Sequence, residues 1–563
     1  MPDAREARKL ASLSTTATKA MLSKRAILAA ALFAAPHAAR AQASITAEAL
    51  RTRLTAFAHD SMMGRAAGTK GDFMASAYVE HEFRGMGLKP AGEGGTFFQT
   101  VPLVREYVDT GSVLFAGDTR LAVLKDFLPA FWLEATVGKL DKVPTVFGGD
   151  VTDSTTWISS AQAQGKIIVF RVPVAASGQR LPGGLLANPR FAGAVAIAVV
   201  QLQGLPPALL ASATRGRIRL GEQPPSTQRP LVFISPAAAD AILGVWLGSA
   251  QPGQAGRPLR GSLATRRDPV PFPARNVVAI LPGSDPKLRG QYVSLSAHND
   301  HVGFANGPVD HDSIRAYDRV VRPMGADSPA RPATAAEQPL IRKILDSLRS
   351  IRPPRADSIM NGADDDGSGT VALLEVARAL VRESPKRSIL FVSHTAEENG
   401  LLGSLWFTSH PTVSRDSIVA EVDEDMVGRG SATDVAGGGP GYLEVVGSRR
   451  LSTEFGDLLE QVNAAQPMPF KFNYEFDAPG HPLQYYCRAD HFSYARFGIP
   501  SVSLSRGEHL DYHQVTDESQ YIDYDVLARV ARLTHDAALR IANLDHRPLL
   551  DRPKQDPKTP CVQ

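Results

Sequence analysis

Cysteine is almost missing. Two residues, Cys487 and Cys561, in a chain of 563 cannot make the disulfide framework of a small secreted scaffold. They are also too few for a thiolate zinc site, so a metal bound here draws on imidazole and carboxylate; the sequence alone does not decide whether the two pair. Charge imbalance is missing too: the net charge is +3, with no basic tract carrying interleaved aromatics, which leaves no case for nucleic acid or an anionic surface as partner. The α/β portion contains no Gly-x-Ser-x-Gly nucleophile elbow, which weighs against a Ser-His-Asp hydrolase. No apolar run is long enough to cross a bilayer, no repeat period is visible, and nothing in the sequence indicates an oligomeric state.

The short apolar run at residues 26–35 follows Lys19, Lys24 and Arg25 and precedes Ala39-Arg40-Ala41. That is the pattern of a secretory signal peptide, residues 1–41, cleaved near Gln42. The expectation is export to the periplasm or beyond, with Met21 an alternative start because the basic region is long. No Cys stands at the cleavage point to carry a lipid anchor.

The composition, 43% hydrophobic and 21% charged, is that of an ordinary globular protein of two or three domains. Residues 44–104 read as two amphipathic helices and a strand, the first part of a main domain. From 105 to 270 short β runs such as Lys166 to Phe170 and Ala194 to Val200 alternate with Gly, Pro and Ser turns. No His occurs in this span, so it reads as an inserted β-rich module away from any metal. From 271 to 545 strands alternate with helices, which predicts an α/β fold with a mostly parallel sheet covered on both faces, and 546–563 read as a tail. Residues 304–356 are long for a loop and hold one predicted helix, Glu337 to Ile351; they read as an insertion near the rim of the sheet, serving as a lid, a restricting loop or a contact surface.

Asn361-Gly-Ala-Asp364-Asp365-Asp366-Gly-Ser-Gly369 opens a helix that is apolar at Val371, Leu374, Ala377, Leu380 and Val381. Acids there complement the helix dipole, but a strand–loop–helix crossing also puts them at the rim where open α/β sheets bind ligands. His298, Asp365, Glu398, Asp425 and His513 all follow strands or lie in loops. Together they offer two imidazoles and three carboxylates, a donor set that suits zinc where thiolates are missing.

Five motifs occur in order: His298-Asn-Asp300, the acidic stretch, Glu397-Glu398-Asn-Gly-Leu-Leu-Gly-Ser404, Asp425-Met-Val-Gly-Arg429 and Tyr512-His513. Their order resembles the co-catalytic zinc aminopeptidases, the family related to glutamate carboxypeptidase and the transferrin receptor. The likeness spans nearly all of the mature chain, and the module at 105–270 resembles a protease-associated domain, with Gly165 to Val169 and Ala192-Gly193-Ala194 matching its strands. The resemblance implies a three-layer zinc-peptidase fold, two zinc ions and a peptide substrate. It implies that Asp365 bridges the ions, with Asp364 and Asp366 as competing choices. His298 and Asp425 complete one site, Asp423 being the rival to Asp425; Glu398 and His513 complete the other, and Glu397 is the general base. Asp300 is expected to accept the second N–H of His298, and Asp490-His491 to support the site through hydrogen bonds. His301, His394 and His509 read as core or surface histidines. A glutaminyl-cyclase-like transferase with one zinc, a zinc carboxypeptidase and a non-catalytic receptor are the alternatives; Arg429, Arg488 and Arg506 are the candidates for holding a substrate carboxylate.

Overall fold

The computed structural model describes residues 45–131, 138–173, 181, 182, 184–221 and 229–563. The expected signal peptide and its cleavage point lie outside these. The chain forms two compact units: one of residues before Pro102 together with Phe272–Gln563, the other of Pro102–Pro271.

The first unit is built on a nine-stranded sheet. Its strands in chain order are β1 (Lys89–Pro90), β2 (Phe98–Val101), β3 (Ala274–Leu281), β4 (Tyr292–His298), β5 (Ser388–His394), β6 (Ile418–Glu424), β7 (Tyr442–Val446), β8 (Lys471–Asn473) and β9 (Ser501–Ser505). They lie side by side as β1-β3-β5-β4-β6-β9-β7-β8, with β2 also on β3. The centre, β5-β4-β6-β9, is parallel, while β3 and β7 run antiparallel to β5 and β9. Helices of this unit are α1 (Ala47–Phe57), α2 (Lys70–Gly85), α3 (His311–Val321), α4 (Gln338–Arg349), α5 (Gly369–Leu380), α6 (Leu402–Ser409), α7 (Thr453–Ala464), α8 (His491–Ala495) and α9 (Tyr524–Ala542).

The strand sequences explain the layering. Val277, Ala279 and Phe391 point into one core with Leu54, Val79, Leu374, Leu459 and Leu533 of α1, α2, α5, α7 and α9. Their neighbours Val278, Leu390 and Val392 point the other way, onto Phe407 of α6 and Tyr494 of α8. Strands covered on both faces are apolar at successive positions rather than alternating, and the result is the expected three-layer α/β fold. Thr46 caps α1 by accepting the Ala49 N–H at 3.2 Å, and the helix buries Leu50, Leu54 and Phe57, each contributing roughly 1.5–3 kcal/mol.

Residues 304–356 are more ordered than one helix. Strands Phe304–Asp310 and Ala356–Ile359 pair as a ribbon that frames α3 and α4. The sequence reading missed α3 because its buried face is mostly polar, with His311, Asp312, Arg315 and Asp318 beside Ala316 and Val321, which gives no apolar period to see. The tail folds back on the same unit: Cys561 is disulfide-bonded to Cys487, and Gln563 Nε2 donates to the Phe476 carbonyl at 3.0 Å.

The second unit has an eight-stranded mixed sheet and a three-stranded antiparallel one. Strands Gly138–Asp150, Ile167–Arg171, Ala196–Val200 and Leu231–Ile234 are parallel to one another, and apolar clusters cover both faces of the larger sheet.

Candidate metal centre

Strand β4 lies between β5 and β6, so the chain crosses to one side of β4 and later to the other. That reversal opens a crevice at the carboxyl ends of these strands, the position at which open α/β sheets bind ligands. His298 ends β4, Glu397 and Glu398 follow β5, Asp425 follows β6, and His513 lies in the loop after β9. The acidic stretch enters the same crevice as an irregular turn, Ala363–Ser368, ahead of α5.

The donors form two groups that share one residue. His298, Asp365 and Asp425 make the first; His301, Asp365, Glu398 and His513 make the second. His298 Nε2 lies 3.2 Å from Asp365 Oδ1 and 3.7 Å from Asp425 Oδ1. His513 Nε2 lies 2.9 Å from both Asp365 Oδ2 and Glu398 Oε2. His301 Nδ1 lies 2.8 Å from Glu398 Oε1. Asp365 thus turns one carboxylate oxygen to each group.

The other two acids have different work. Asp364 Oδ1 accepts the Gly428 N–H at 2.7 Å and Oδ2 faces His509 Nε2 at 3.1 Å. Asp366 accepts the N–H groups of His298, Gly369 and Met426 at 3.1, 2.9 and 3.2 Å. Gly369 has to be glycine, because a Cβ there would sit 2.1 Å from the Glu424 carbonyl. Asp423, the rival to Asp425, belongs to neither group; it accepts from Ser296 Oγ at 2.9 Å within the sheet.

Several polar atoms at the centre are buried without a hydrogen-bond partner: His298 Nε2, His301 Nδ1, Asp365 Oδ2, Glu398 Oε1 and His513 Nε2. Unpaired buried polar groups are costly, and these converge on common points. The acids far outweigh nearby cations. Burial, with the neighbouring carboxylates adding to it, pushes Glu397 and Asp425 above the usual carboxylate range. Burial opposes charge on His298, yet Asp300, Asp365 and Asp425 hold its pKa well above the ordinary imidazole value. A divalent cation in each group would satisfy these atoms and offset the charge, so the residues fit metal.

Glu397 and Glu398 are neighbours with different partners because the loop is irregular. Ala396 has a left-handed backbone, φ 58°, and the Gly400 and Leu401 N–H groups both donate to the Glu397 carbonyl at 2.8 Å. Glu397 Oε2 stands 3.9 Å from His298 Nε2, beside the first group and in neither.

Several residues stand otherwise than the sequence suggests. The nearest partner of His298 Nδ1 is the Asp300 carbonyl, at 3.2 Å, and the Asp300 carboxylate is 3.6 Å away; that carboxylate accepts the Glu397 N–H instead. Asp490 and His491 are buried, and neither side chain hydrogen-bonds to a residue of the two groups. His301, read as a core or surface residue, is in the second group; the paired imidazoles of His298-x-x-His301 were the signal for it. Arg65 was also missed. It is fully buried and donates to the carbonyls of Asn299, Asn361 and Gly362 at 3.0, 2.5 and 2.9 Å, tying the β4 loop to the acidic stretch. His394 faces Tyr494 at 3.1 Å in the core.

The insertion braces the His513 loop. Arg315 Nη2 lies 3.3 Å from Asp511 and its guanidinium covers Tyr521 at 3.6 Å. Asp327 binds Arg488 at 2.5 Å, and the Ala326 N–H donates to the Tyr512 carbonyl at 3.0 Å.

The model of peptidase family M28 matches residues 344–538, which contain Asp365, Glu397, Glu398, Asp425 and His513; His298 lies before the matched segment. Leucine aminopeptidase 1 of Ajellomyces dermatitidis is 32% identical over 200 residues, 33% of this chain and 48% of that protein. Leucine aminopeptidase 1 of Paracoccidioides brasiliensis (strain Pb18) is 33% identical over 189 residues, 31% and 44%. The chain spans about half the length of the curated relatives it matches. Among solved structures, an aminopeptidase from Aneurinibacillus sp. strain AM-1 superposes with a TM-score of 0.47 at 16% identity, covering 92% of this chain and 100% of that one. The likeness to peptidase family M28 and to the leucine aminopeptidases thus falls on the α/β unit, over the segment that carries the acidic stretch, the Glu397-Glu398 pair, Asp425 and His513.

Proposed function

We propose that the chain is an exported dizinc exopeptidase that removes residues from the free amino end of peptides. The observation that carries this reading is Asp365, whose two oxygens face two separate groups of unpaired buried donors, with Glu397 beside the first of them. In this reading Asp365 bridges, His298 and Asp425 complete one site, and Glu398 and His513 the other. Zinc bound there supplies Lewis acidity toward a scissile carbonyl and acidifies an attacking water. Glu397 takes the proton of that water and returns it to the leaving amine, the two halves of general acid–base catalysis. Asp300 holds the Glu397 backbone through its N–H.

The basic residues favour the amino end over the carboxyl end. A carboxypeptidase needs a free cation for the substrate carboxylate, and all three arginine candidates are engaged. Arg429 binds Asp434 and Asp511 at 2.8 and 3.0 Å. Arg488 binds Asp327 and lies 3.3 Å from Glu508. Arg506 donates to the carbonyls of Arg429, Tyr442, Gly430 and Gly439. The pocket beside Asp365 and Glu397 is also lined by Glu444 and Glu508, which are engaged by Tyr442 and by Tyr485 and Arg488. The pairing of four carboxylates and three histidines weighs against a single-zinc transferase. Export is supported by the signal-like N-terminal sequence and by the Cys487–Cys561 disulfide, a bond that persists in oxidising compartments. We read the Pro102–Pro271 unit as a protease-associated domain.

The test is hydrolysis of one peptide series with free, acetylated and amidated ends, with and without a chelator. Chelator-sensitive cleavage of free-amino and C-amidated peptides, with the N-acetylated ones spared, supports the reading; cleavage that needs a free carboxylate or survives chelation overturns it.

A further inference from the structure

We propose that His301 is a fourth protein ligand at the Glu398–His513 site, so that this site is closed by protein alone and the His298–Asp425 site carries the open coordination position. The inference rests on the dizinc reading above and assigns unequal roles to its two ions.

Three observations carry it. The first is donor geometry. His301 Nδ1 lies 2.8 Å from Glu398 Oε1 and 3.5 Å from Asp365 Oδ2, and His513 Nε2 lies 2.9 Å from both acids. Donors about 2.0–2.1 Å from one tetrahedral zinc stand roughly 3.4 Å apart, and these separations bracket that spacing. The second is the burial and aim of the ring. His301 is 1% exposed, its Nδ1 is turned to the Glu398 and Asp365 carboxylates, and its Nε2 has no hydrogen-bond partner. The third is the space made for it. Gly362 has φ +54°, and a Cβ there would stand 2.5 Å from His301 Cγ; the backbone that leads into the acidic stretch yields to the imidazole. The His301 N–H donates to the Arg65 carbonyl at 3.2 Å, which fixes the residue from the other side.

Donor count then separates the two sites. Four protein donors saturate tetrahedral zinc, as in structural sites, whereas catalytic zinc keeps a position for water or substrate. His298, Asp365 and Asp425 are three donors, and Glu397 stands beside that group. The closed ion therefore fixes Asp365 and the fold of the loops, and the substrate carbonyl and water meet the ion on the Glu397 side.

The experiment is Co(II) titration of the metal-free full chain, followed by visible absorption and by binding isotherms, for the wild type, His301→Ala and His301→Asn. The expected wild-type result is an intense, tetrahedral band on the first equivalent and weaker absorption on the second. Both variants should lose most of the intense band, and affinity in the first step should fall by at least ~100-fold, beyond the 10–100-fold cost of losing an outer-shell partner, with the second step little changed. Melting of the metal-free proteins shows whether the variants fold, and the wild-type spectrum decides by itself if they do not: a first equivalent without tetrahedral intensity overturns the proposal. Unchanged spectra and affinities in the variants also overturn it while leaving the dizinc reading standing. A wild type that takes up one ion, with a band that His301→Ala abolishes, sinks the dizinc reading and upholds the His301 ligand. A wild type that binds no Co(II) sinks both.

Discussion

Asp300 Oδ1 accepts the backbone N–H of Glu397 at 3.1 Å, which ties the loop after β4 to the loop that carries the proposed base. Both residues come from strands that are hydrogen-bonded neighbours, so this bond transfers the rigidity of the sheet to Glu397. Asp300→Ala leaves the N–H unpaired and the loop free to shift. A displacement of about 1 Å can cost ~100-fold in rate, so kcat should fall by roughly 10–100-fold with the metal content unchanged. Rate and metal content measured on the same sample check this; a variant that loses metal in parallel with rate places Asp300 in the metal's support instead.

Glu397→Gln keeps the shape of the side chain and removes its proton affinity. General acid–base groups contribute about 10²–10⁴-fold, and kcat should fall within that range while both metals stay bound. Near-normal turnover on a free-amino peptide would remove Glu397 from its role.

Much of this centre could be read from the sequence. Each donor that stands after a strand, His298, Glu398 and Asp425, could be placed because parallel strands deliver their next residues to one rim. The fold followed for the same reason, since the central strands are apolar on both faces. The direction of His301 could not be placed, because a loop residue three positions past His298 points wherever the backbone sends it, and here the Arg65 carbonyl and the Gly362 backbone set that direction. Arg65 was invisible because its partners are carbonyl groups, which leave no trace in side-chain identity. Helix α3 was invisible because its buried face is mostly polar.

That polar face has a pH signature. Asp318 is buried, neither of its oxygens has a hydrogen-bond partner, and its pKa is pushed up to about 7, first by burial and then by Asp511, with Arg322 opposing. The unfolded value is near 3.9, so between about pH 4 and 7 the folded state holds the extra proton and stability falls as pH rises. Asp318→Asn should flatten this slope, melting higher than the wild type at pH 8 with the difference shrinking toward pH 5. Parallel melting curves across that range would contradict the assignment.

The Cys487–Cys561 bond closes a sequence separation of 74 residues and ties the tail to the turn before Arg488, itself a wall of the pocket. Loop-closure entropy for that length is worth up to about 4 kcal/mol. Cys561→Ser should lower the melting temperature by several degrees, and reductant should then have no further effect on the variant. A reductant-sensitive melt in Cys561→Ser would mean the stabilisation comes from elsewhere.

The most direct test of the proposed two-metal centre is to titrate zinc into metal-free protein while following both bound zinc per chain and the rate of release from a free-amino peptide. Full activity reached only as the second equivalent binds is the expected result, because Asp365 faces two donor groups. Full activity at one zinc per chain, with no further gain, would contradict it.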